Sequence, residues 1–529
     1  VLLLAVALCG CGGGGGGGSP APAPAPAPQS SGWVAGSFLP PATFAGQCIA
    51  PRNGVNPVTN QPYADVQGTL LSEENWLRSW SNDLYLWYDE IIDRDPRIYG
   101  LNGTASYFDL LKTLATTPSG NPKDKFHFTY ATTEWLALSQ SGVAAGYGVE
   151  WEVVASLPPR RIVAAYVVSN PALAQTVKRG DVVLTVDGVD VVSANTRAEV
   201  DRFVAALFPA QAGETHVFTL QNSQSGSVRS VTMQAANVTA KPVQNSKWID
   251  TPSGRVGYVQ FNDHLATAEA ELVTAVDYLR SSQIVDLVLD LRYNGGGYLD
   301  IASELAYMIA GTVPTAGQTF ENVRFNSKHP SIDPVTGEPL TPTPFHTTTL
   351  GFSTSPGAPL PTLNLPRVFV LTGPGTCSAS ESVINGLRGV NVEVIQIGSR
   401  TCGKPYGFYP AENCGTTYFS IQMVGVNAAG FGDYTDGFSP NNGSSGAGAR
   451  LPGCSVADDF LHELGDPAEE RLKAALAYRA GPSCPAPTGL SSPFSVTKTV
   501  SAAASSDADF AAAAVRKPRW REIRVLTPP

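Results

Sequence analysis

Apolar and aromatic positions between residues 70 and 135 recur at roughly helical spacing: Trp76, Leu77, Trp80 and Leu84, then Leu86-Trp87-Tyr88. Ser72 is placed to cap this helix, with Asn75 at the third position. A second helix is expected over Tyr107–Leu114. The aromatic density reads as a packed helical core, with a peptide groove as the competing reading. From residue 140 to 240 the period shortens. Gly146-Tyr147-Gly148-Val149 opens a strand and Arg161–Val168 is another. Ser169-Asn170-Pro171 turns into a short helix, Ala172–Thr176, and Lys178-Arg179-Gly180-Asp181 leads into Val182–Val186. Asp187-Gly188 marks a tight turn. A helix over Arg197–Phe208 and a hairpin of Thr215–Gln221 with Ser227–Gln234 complete the stretch.

Residues 255–480 alternate helices with continuous apolar strands, an α/β pattern. Ile284–Leu291 runs into Arg292-Tyr293-Asn294-Gly295-Gly296-Gly297 and a helix over Leu299–Ile309. Arg367–Leu371 runs into Thr372-Gly373-Pro374-Gly375-Thr376-Cys377 and a helix over Ser378–Leu387. Val392–Ile397 ends in a loop from Gly398 to Lys404. The short strand–helix–strand crossover from Arg367 to Ile397 predicts parallel strands, so all three loops emerge at one sheet edge, where open α/β sheets place ligands.

Composition narrows the function classes. Thirty-five Lys and Arg against 45 Asp and Glu, a net charge of −10, argue against a general nucleic-acid binder. A hydrophobic content of 43% supports a buried core over most of the 529 residues, which at about 100–200 residues per domain form several domains. Val1–Leu8 is apolar but too short to span a bilayer. Leu8-Cys9-Gly10-Cys11 resembles a bacterial lipoprotein signal with Cys11 as the lipid-bearing residue. Cys9 fits less well, since Leu8 would precede it, and a plain secretory signal is the competing reading. Gly12 after the cysteine points by analogy to the outer membrane. Gly12–Gly18 and the Pro-Ala run from Pro20 to Pro28 read as a tether holding a folded enzyme off the membrane.

An oxidising compartment favours disulfides among Cys48, Cys377, Cys402, Cys414, Cys454 and Cys484. Cys402–Cys414 and Cys454–Cys484 are the short-range expectations, and the full pairing is open. No C-x-x-C or H-E-x-x-H spacing occurs, so no metal or cofactor is expected. From Pro485 the chain reads as a mobile tail, Ala- and Ser-rich over Ala502–Ala514, with a basic-aromatic patch at Lys517-Pro518-Arg519-Trp520-Arg521.

The loop edge carries the candidate chemistry. Ser378 opens a helix, where free N–H groups and the helix dipole stabilise an oxyanion. Capping alone would also use a serine there, but Ser380 and Ser382 crowd the same turn. Lys404 serves as a base if it is buried and neutral. Lowering a lysine from ~10.4 to ~7 disfavours its charged form by roughly 4.6 kcal/mol, within reach of burial. Asn294-Gly295-Gly296-Gly297 brings bare backbone near a ligand. No G-x-S-x-G elbow occurs. His127, His216, His264, His329, His346 and His462 are scattered, and a Ser–His–Asp triad through His264 has no supporting motif.

D-L-R-Y-N-G-G-G (Asp290–Gly297), T-C-S-A-S-E (Thr376–Glu381) and T-C-G-K-P (Thr401–Pro405), in this order, resemble the C-terminal processing peptidases, or tail-specific proteases, over about residues 70–480. The stretch before them resembles a PDZ domain, with Tyr147, Gly148 and Val149 matching its carboxylate-binding loop. The resemblance implies a multidomain α/β protein. Its catalytic domain would be similar to the Clp protease and crotonase folds, preceded by a PDZ-like β-rich domain and an N-terminal helical domain. It implies a serine endopeptidase with Ser378 as nucleophile, Lys404 as base, and the backbone N–H groups of Ala379 and Gly296 as oxyanion hole. Protein or peptide substrates follow, without nucleic acid, and with membrane contact only through a lipid anchor in the bacterial envelope. The expected division is a signal region at 1–11, a linker at 12–45, helical 46–138, PDZ-like 139–242, catalytic 243–484 and tail 485–529.

The chain departs from the family pattern in several places. The Ser-to-Lys spacing is one residue longer than usual, Gly295 replaces a proline, and Phe408 stands where many members carry a Gln that orients the Lys. Gln422, on an expected strand Thr416–Val426, is the substitute orienter. Cys377 is open to a disulfide that would fix the loop, or to a role as thiol nucleophile. A catalytically inactive peptide-binding lipoprotein on the same fold is the alternative function.

Overall fold

The computed structural model describes residues 33–56, 60–168, 176–443 and 448–485, with the backbone of 524–525. The lipoprotein box with Cys9 and Cys11, the Gly and Pro-Ala tether, the turn at Ser169-Asn170-Pro171 with the helix after it, and the tail sequence patches lie outside the described residues.

Helix α1, Leu70–Leu84, starts one turn earlier than its expected cap. Thr69 is the cap: its hydroxyl accepts from Ser72 N and the Ser72 hydroxyl accepts from Thr69 N, a reciprocal arrangement that makes Ser72 the third helical residue. Trp76, Leu77, Trp80 and Leu84 are buried with Phe108 and Tyr418, so the aromatic spacing is core. The next expected helix is shorter and earlier, Thr104–Phe108. Thr113 Oγ1 accepts from Ala115 N, a local turn that competes with helix continuation. The N-terminal segment is woven into the rest of the chain. Its strand Phe128–Ala131 pairs antiparallel with Thr416–Phe419, and Cys48 is bonded to Cys414. The expected Cys402–Cys414 bond is therefore not formed. Cys414 lies on the turn between Ala411–Asn413 and Thr416–Phe419, beside Cys48, whereas Cys402 reaches Cys377 across two loops. Cys454–Cys484 forms as expected.

Strands β1 (Val149–Ala155), β2 (Arg161–Val167), β3 (Val182–Val186), β4 (Thr215–Gln221) and β5 (Val228–Gln234) form an antiparallel sheet in the order β5-β4-β3-β2-β1. Asp187 and Gly188 both have positive φ, 49° and 77°, as a tight two-residue turn requires. Helix α2, Arg197–Leu207, packs on this sheet through Val200 and Phe203 against Trp151, Ile162, Phe218 and Leu220. β1 is left as an edge.

The α/β part is built on β6 (Val243–Ile249), β7 (Val256–Phe261), β8 (Asp286–Asp290), β10 (Arg367–Thr372), β11 (Glu393–Gly398) and β12 (Gly453–Ser455), side by side in that order. The two-residue strand β9, Gly297–Tyr298, lies outside this sheet and pairs with Arg524–Val525. All main-sheet pairings are parallel except β6 with β7. Strand periodicity sends Val368 and Val370 to one face, under helices α3 (Ala268–Ser281), α4 (Leu299–Ala310) and α5 (Ala379–Gly389). Phe369 and Leu371 face the other way, onto helix α6 (Glu470–Ala480). Because β8, β10 and β11 run parallel, their following loops meet at one edge, as the crossover predicts.

A buried acid pair braces the flank of this layer. Glu269 accepts backbone N–H bonds from Leu350, Gly351, Ser353 and Thr354 at 2.6–3.1 Å. Glu304 beside it is pushed up to about 9, first by burial and then by the Glu269 charge. It therefore holds its proton at neutral pH. A carboxyl whose folded value lies above its ordinary one makes stability fall as pH rises between the two, by up to about 1.4 kcal/mol per pH unit. Glu304→Gln removes this component. Thermal unfolding from pH 5 to 9 should show a flatter decline for the variant; parallel wild-type and variant curves would refute the assignment.

Candidate active site

The loop between β10 and α5 is sewn to the loop after β8. Thr376 Oγ1 donates to Leu291 O at 2.7 Å, Cys377 N donates to Asn294 O at 3.1 Å, and Ser380 Oγ donates to the same oxygen at 3.0 Å. Between these ties the chain turns sharply from strand to helix at Ser378, with φ +60° and ψ −118°. A side-chain-bearing residue there costs on the order of 1–3 kcal/mol, and such strain clusters at functional positions. The Ser378 hydroxyl is buried and has no hydrogen-bond partner among the described residues. It is thus not spent on capping. The adjacent Ala379 N–H, at the first helical position, also has no partner among them.

Glu381, three residues on, is fully buried. Its carboxylate accepts from Ser378 N at 3.0 Å, Lys404 N at 2.8 Å, Gly403 N at 2.9 Å and Thr401 Oγ1 at 2.5 Å. Burial raises its carboxyl above the ordinary value, against the pull of these donors. One side chain therefore ties the start of α5 to the loop after β11. Lys404 in that loop is fully buried, its Nζ 4.4 Å from the Phe408 ring centre and 4.8 Å from that of Phe126.

Two expected contributors are differently employed. The Gly296 N–H donates to Asn294 Oδ1 at 2.9 Å, because the Asn294 side chain folds back to close its own loop. Gln422 spends its amide on the backbone of Tyr409, accepting from N at 3.1 Å and donating to O at 3.0 Å. It makes no hydrogen bond to Lys404, and the expected strand Thr416–Val426 is broken around it into Thr416–Phe419 and Met423–Val426. His264 is also close by, its Nδ1 3.0 Å from Asn294 Oδ1. It meets an amide, not a carboxylate, and burial pulls it down to about 3, so it is neutral. Cys377 is disulfide-bonded to Cys402 and is no thiol nucleophile. Two Cys–Glu–Cys groups cluster tightly, Cys48/Glu73/Cys414 and Cys377/Glu381/Cys402, but in both the sulfurs are bonded to each other.

Sequence reasoning assigned no role to Glu381, Asn294 or Phe126. For Glu381 a signal existed: Ser-x-x-Glu at a helix start is a capping-box pattern. For the other two only the fold brings them in.

Tyr147, Gly148 and Val149 lie together at a cavity of about 590 Å³, with Tyr166, Leu207 and Phe208 among its lining. The cavity borders the start of edge strand β1 and the end of α2. Tyr147 is buried and its hydroxyl donates to Ala206 O at 2.7 Å; Gly148 turns with φ +74°. Arg179, from the same β-rich part, reaches the loop after β8. It donates to Tyr293 Oη and Asp458 Oδ1, both at 2.9 Å, and to His462 O at 2.9 Å.

The profile of Peptidase family S41 matches residues 255–408, which contain both Ser378 and Lys404. A carboxyl-terminal-processing protease of Picosynechococcus sp. is 26% identical over 276 residues, 51% of this chain and 56% of that protein. A chloroplastic carboxyl-terminal-processing peptidase 1 of Arabidopsis thaliana is 27% identical over 235 residues, 43% of this chain and 40% of that protein. The chain thus spans about half the length of these curated relatives. A structure described as an S41 protease from Bacteroides fragilis superposes with a TM-score of 0.53 at 21% identity, over 77% of this chain and 97% of the other, a likeness of fold. The similarity to peptidase family S41 thus lies in the part of the chain, residues 255–408, that carries the loops of both Ser378 and Lys404.

Proposed function

We propose that this chain is a serine endopeptidase in which Ser378 and Lys404 form the catalytic pair. The observation that carries the reading is the strained, buried Ser378 whose hydroxyl is uncommitted, at a helix start tied through Glu381 to the loop of a buried lysine. In the reaction Ser378 Oγ attacks the scissile carbonyl while Lys404 Nζ takes its proton. The oxyanion falls to the Ala379 N–H at the positive end of α5. Lys404 then returns the proton to the leaving amine, and water hydrolyses the acyl-enzyme by the same route. Gly296 supplies a second donor only if its N–H leaves Asn294. The β-rich part acts as a PDZ-like module that presents substrate C-termini to the cavity at Tyr147-Gly148-Val149. The domain division 46–138, 139–242 and 243–484 belongs to the same reading, as does tethering to a bacterial envelope through Cys11.

Residues that act as a unit are not additive. Ser378→Ala, Lys404→Ala and the double variant should each lose peptide hydrolysis by about 10⁴-fold, with little further loss in the double. Lys404→Arg should be as damaging, since a guanidinium does not deprotonate near neutral pH. The amine must be neutral to accept the serine proton, so kcat/KM should rise with pH as it deprotonates. Wild-type protein that hydrolyses nothing in a peptide library would favour the peptide-binding alternative. Activity surviving in Lys404→Ala but lost in Ser378→Ala would assign the base elsewhere.

Glu381→Gln keeps the shape but exchanges an acceptor oxygen for a donor NH₂ facing other donors. A 1 Å shift of a positioned group costs about 10²-fold, and a loss of kcat of that order is expected with a cooperative thermal transition retained at lower temperature. Unchanged kcat would show that the carboxylate does not position the pair.

Amidating a peptide's C-terminus removes the carboxylate that the Tyr147–Val149 backbone would hold. Titration of acid and amide forms into Ser378→Ala protein should show weaker binding of the amide. Equal affinities would leave this module without a carboxylate site.

A further inference from the structure

We propose that the Cys377–Cys402 disulfide is a positioning element of the catalytic pair, and that activity depends on its being oxidised. The inference rests on the serine-peptidase reading above. Cys377 immediately precedes Ser378, and Cys402 lies two residues before Lys404, so one covalent bond joins the nucleophile's loop to the base's loop. These loops leave neighbouring parallel strands β10 and β11, and their other ties across this gap are polar: Cys402 N to Thr376 O at 3.0 Å and the bonds gathered by Glu381. Gly403 N and Lys404 N are held by Glu381 and Cys402 by the disulfide, so the backbone that carries the lysine is fixed against the loop that carries Ser378.

The bond is placed to be opened from one side. Cys377 is fully buried, whereas Cys402 is partly accessible. A dithiol reductant attacks the Cys402 sulfur as thiolate, forming a mixed disulfide and releasing the Cys377 thiolate, which takes up a proton. The reductant's second thiol then closes its own disulfide and frees Cys402 as thiol. The protein gains two electrons and two protons, and the reductant is oxidised by the same amount. Once opened, the loops keep their polar ties but lose the covalent limit on Ser378–Lys404 separation.

The test uses Cys377→Ala/Cys402→Ala beside Cys454→Ala/Cys484→Ala, each with and without dithiothreitol. The first variant should keep a cooperative thermal transition, lose kcat by roughly 10- to 100-fold, change KM by less than about threefold, and not respond to reductant. Its pH profile should move to higher pH, because a better hydrated amine holds its proton more tightly. Wild type and the second variant should lose kcat on reduction, in step with opening of Cys377–Cys402 followed by thiol labelling and mass spectrometry. That time course decides the matter if the first variant fails to fold. Labelling of Ser378 by a fluorophosphonate should slow in parallel, which reads the site without any peptide substrate. Wild-type kcat and pH profile in the first variant, or activity that persists after the bond has opened, would overturn the proposal. Absence of both labelling and hydrolysis in oxidised wild type would instead refute the peptidase reading.

Discussion

The buried carboxylate of Glu381 is the constraint on which the site depends. Taking an ionised group out of water costs several kcal/mol unless its lone pairs are satisfied. Here four donors satisfy it, and they come from both sides of the gap: Ser378 N on one loop, Thr401, Gly403 and Lys404 on the other. The same desolvation that makes the group costly favours an arrangement of the loops in which its lone pairs are satisfied. It also explains how Ser378 stays in a strained conformation. The N–H of Ser378 is held by Glu381, while Cys377 N and Ser380 Oγ are held by Asn294 O on either side, so relaxing the turn would break three bonds at once.

A second buried network holds the glycine-rich loop from behind. Arg292 is fully buried among Asp290, Asp458 and Glu469, all within 2.7–2.9 Å. Burial pushes the Asp458 carboxyl up, but Arg471, Arg292 and Arg179 together hold it well below the usual carboxylate range. Asp458 also accepts from Tyr293 Oη, the residue that follows Arg292. Arg179 thus connects the β-rich part to the loop that ends in Gly296 through a shared carboxylate. Removing any one member strands a charge of the others in the interior, which is far more costly than never having built the pair.

What was legible in the sequence follows from where each feature's cause lies. Parallel strands β8, β10 and β11 have apolar centres and a short crossover joins β10 to β11, so their identity and the common edge of their loops follow largely from local pattern. Asp187-Gly188 is legible because its turn chemistry is contained in two residues. The Cys48–Cys414 bond is not, since its partners are 366 residues apart and are brought together by long-range contacts such as Gly46 N to Asn413 Oδ1 and Arg52 to Glu412. Gln422 was a reasonable orienter by residue type. Its amide is captured by the nearer Tyr409 backbone, a competition that only coordinates reveal. Gly296 illustrates the same limit: a bare backbone near the nucleophile is readable, but the Asn294 side chain two residues before it takes the N–H first.

The aromatic residues before position 135 gain their meaning from this competition between local and distant causes. Their spacing reads as core, and they are core, but part of that core is the wall of the site. Phe126 lies over the Lys404 amine, and Phe126, Phe128, Tyr85 and Trp135 form one cluster with Cys377, Tyr406 and Phe408. The segment matched by the S41 family profile begins only at residue 255. It contains Ser378 and Lys404 but not Phe126, Phe128, Tyr85 or Trp135 of the neighbouring cluster. Part of the apolar surface around the Lys404 side chain is therefore contributed by residues far upstream. The N-terminal segment, crosslinked through Cys48 and paired through Phe128–Ala131, thereby reaches the surroundings of Lys404.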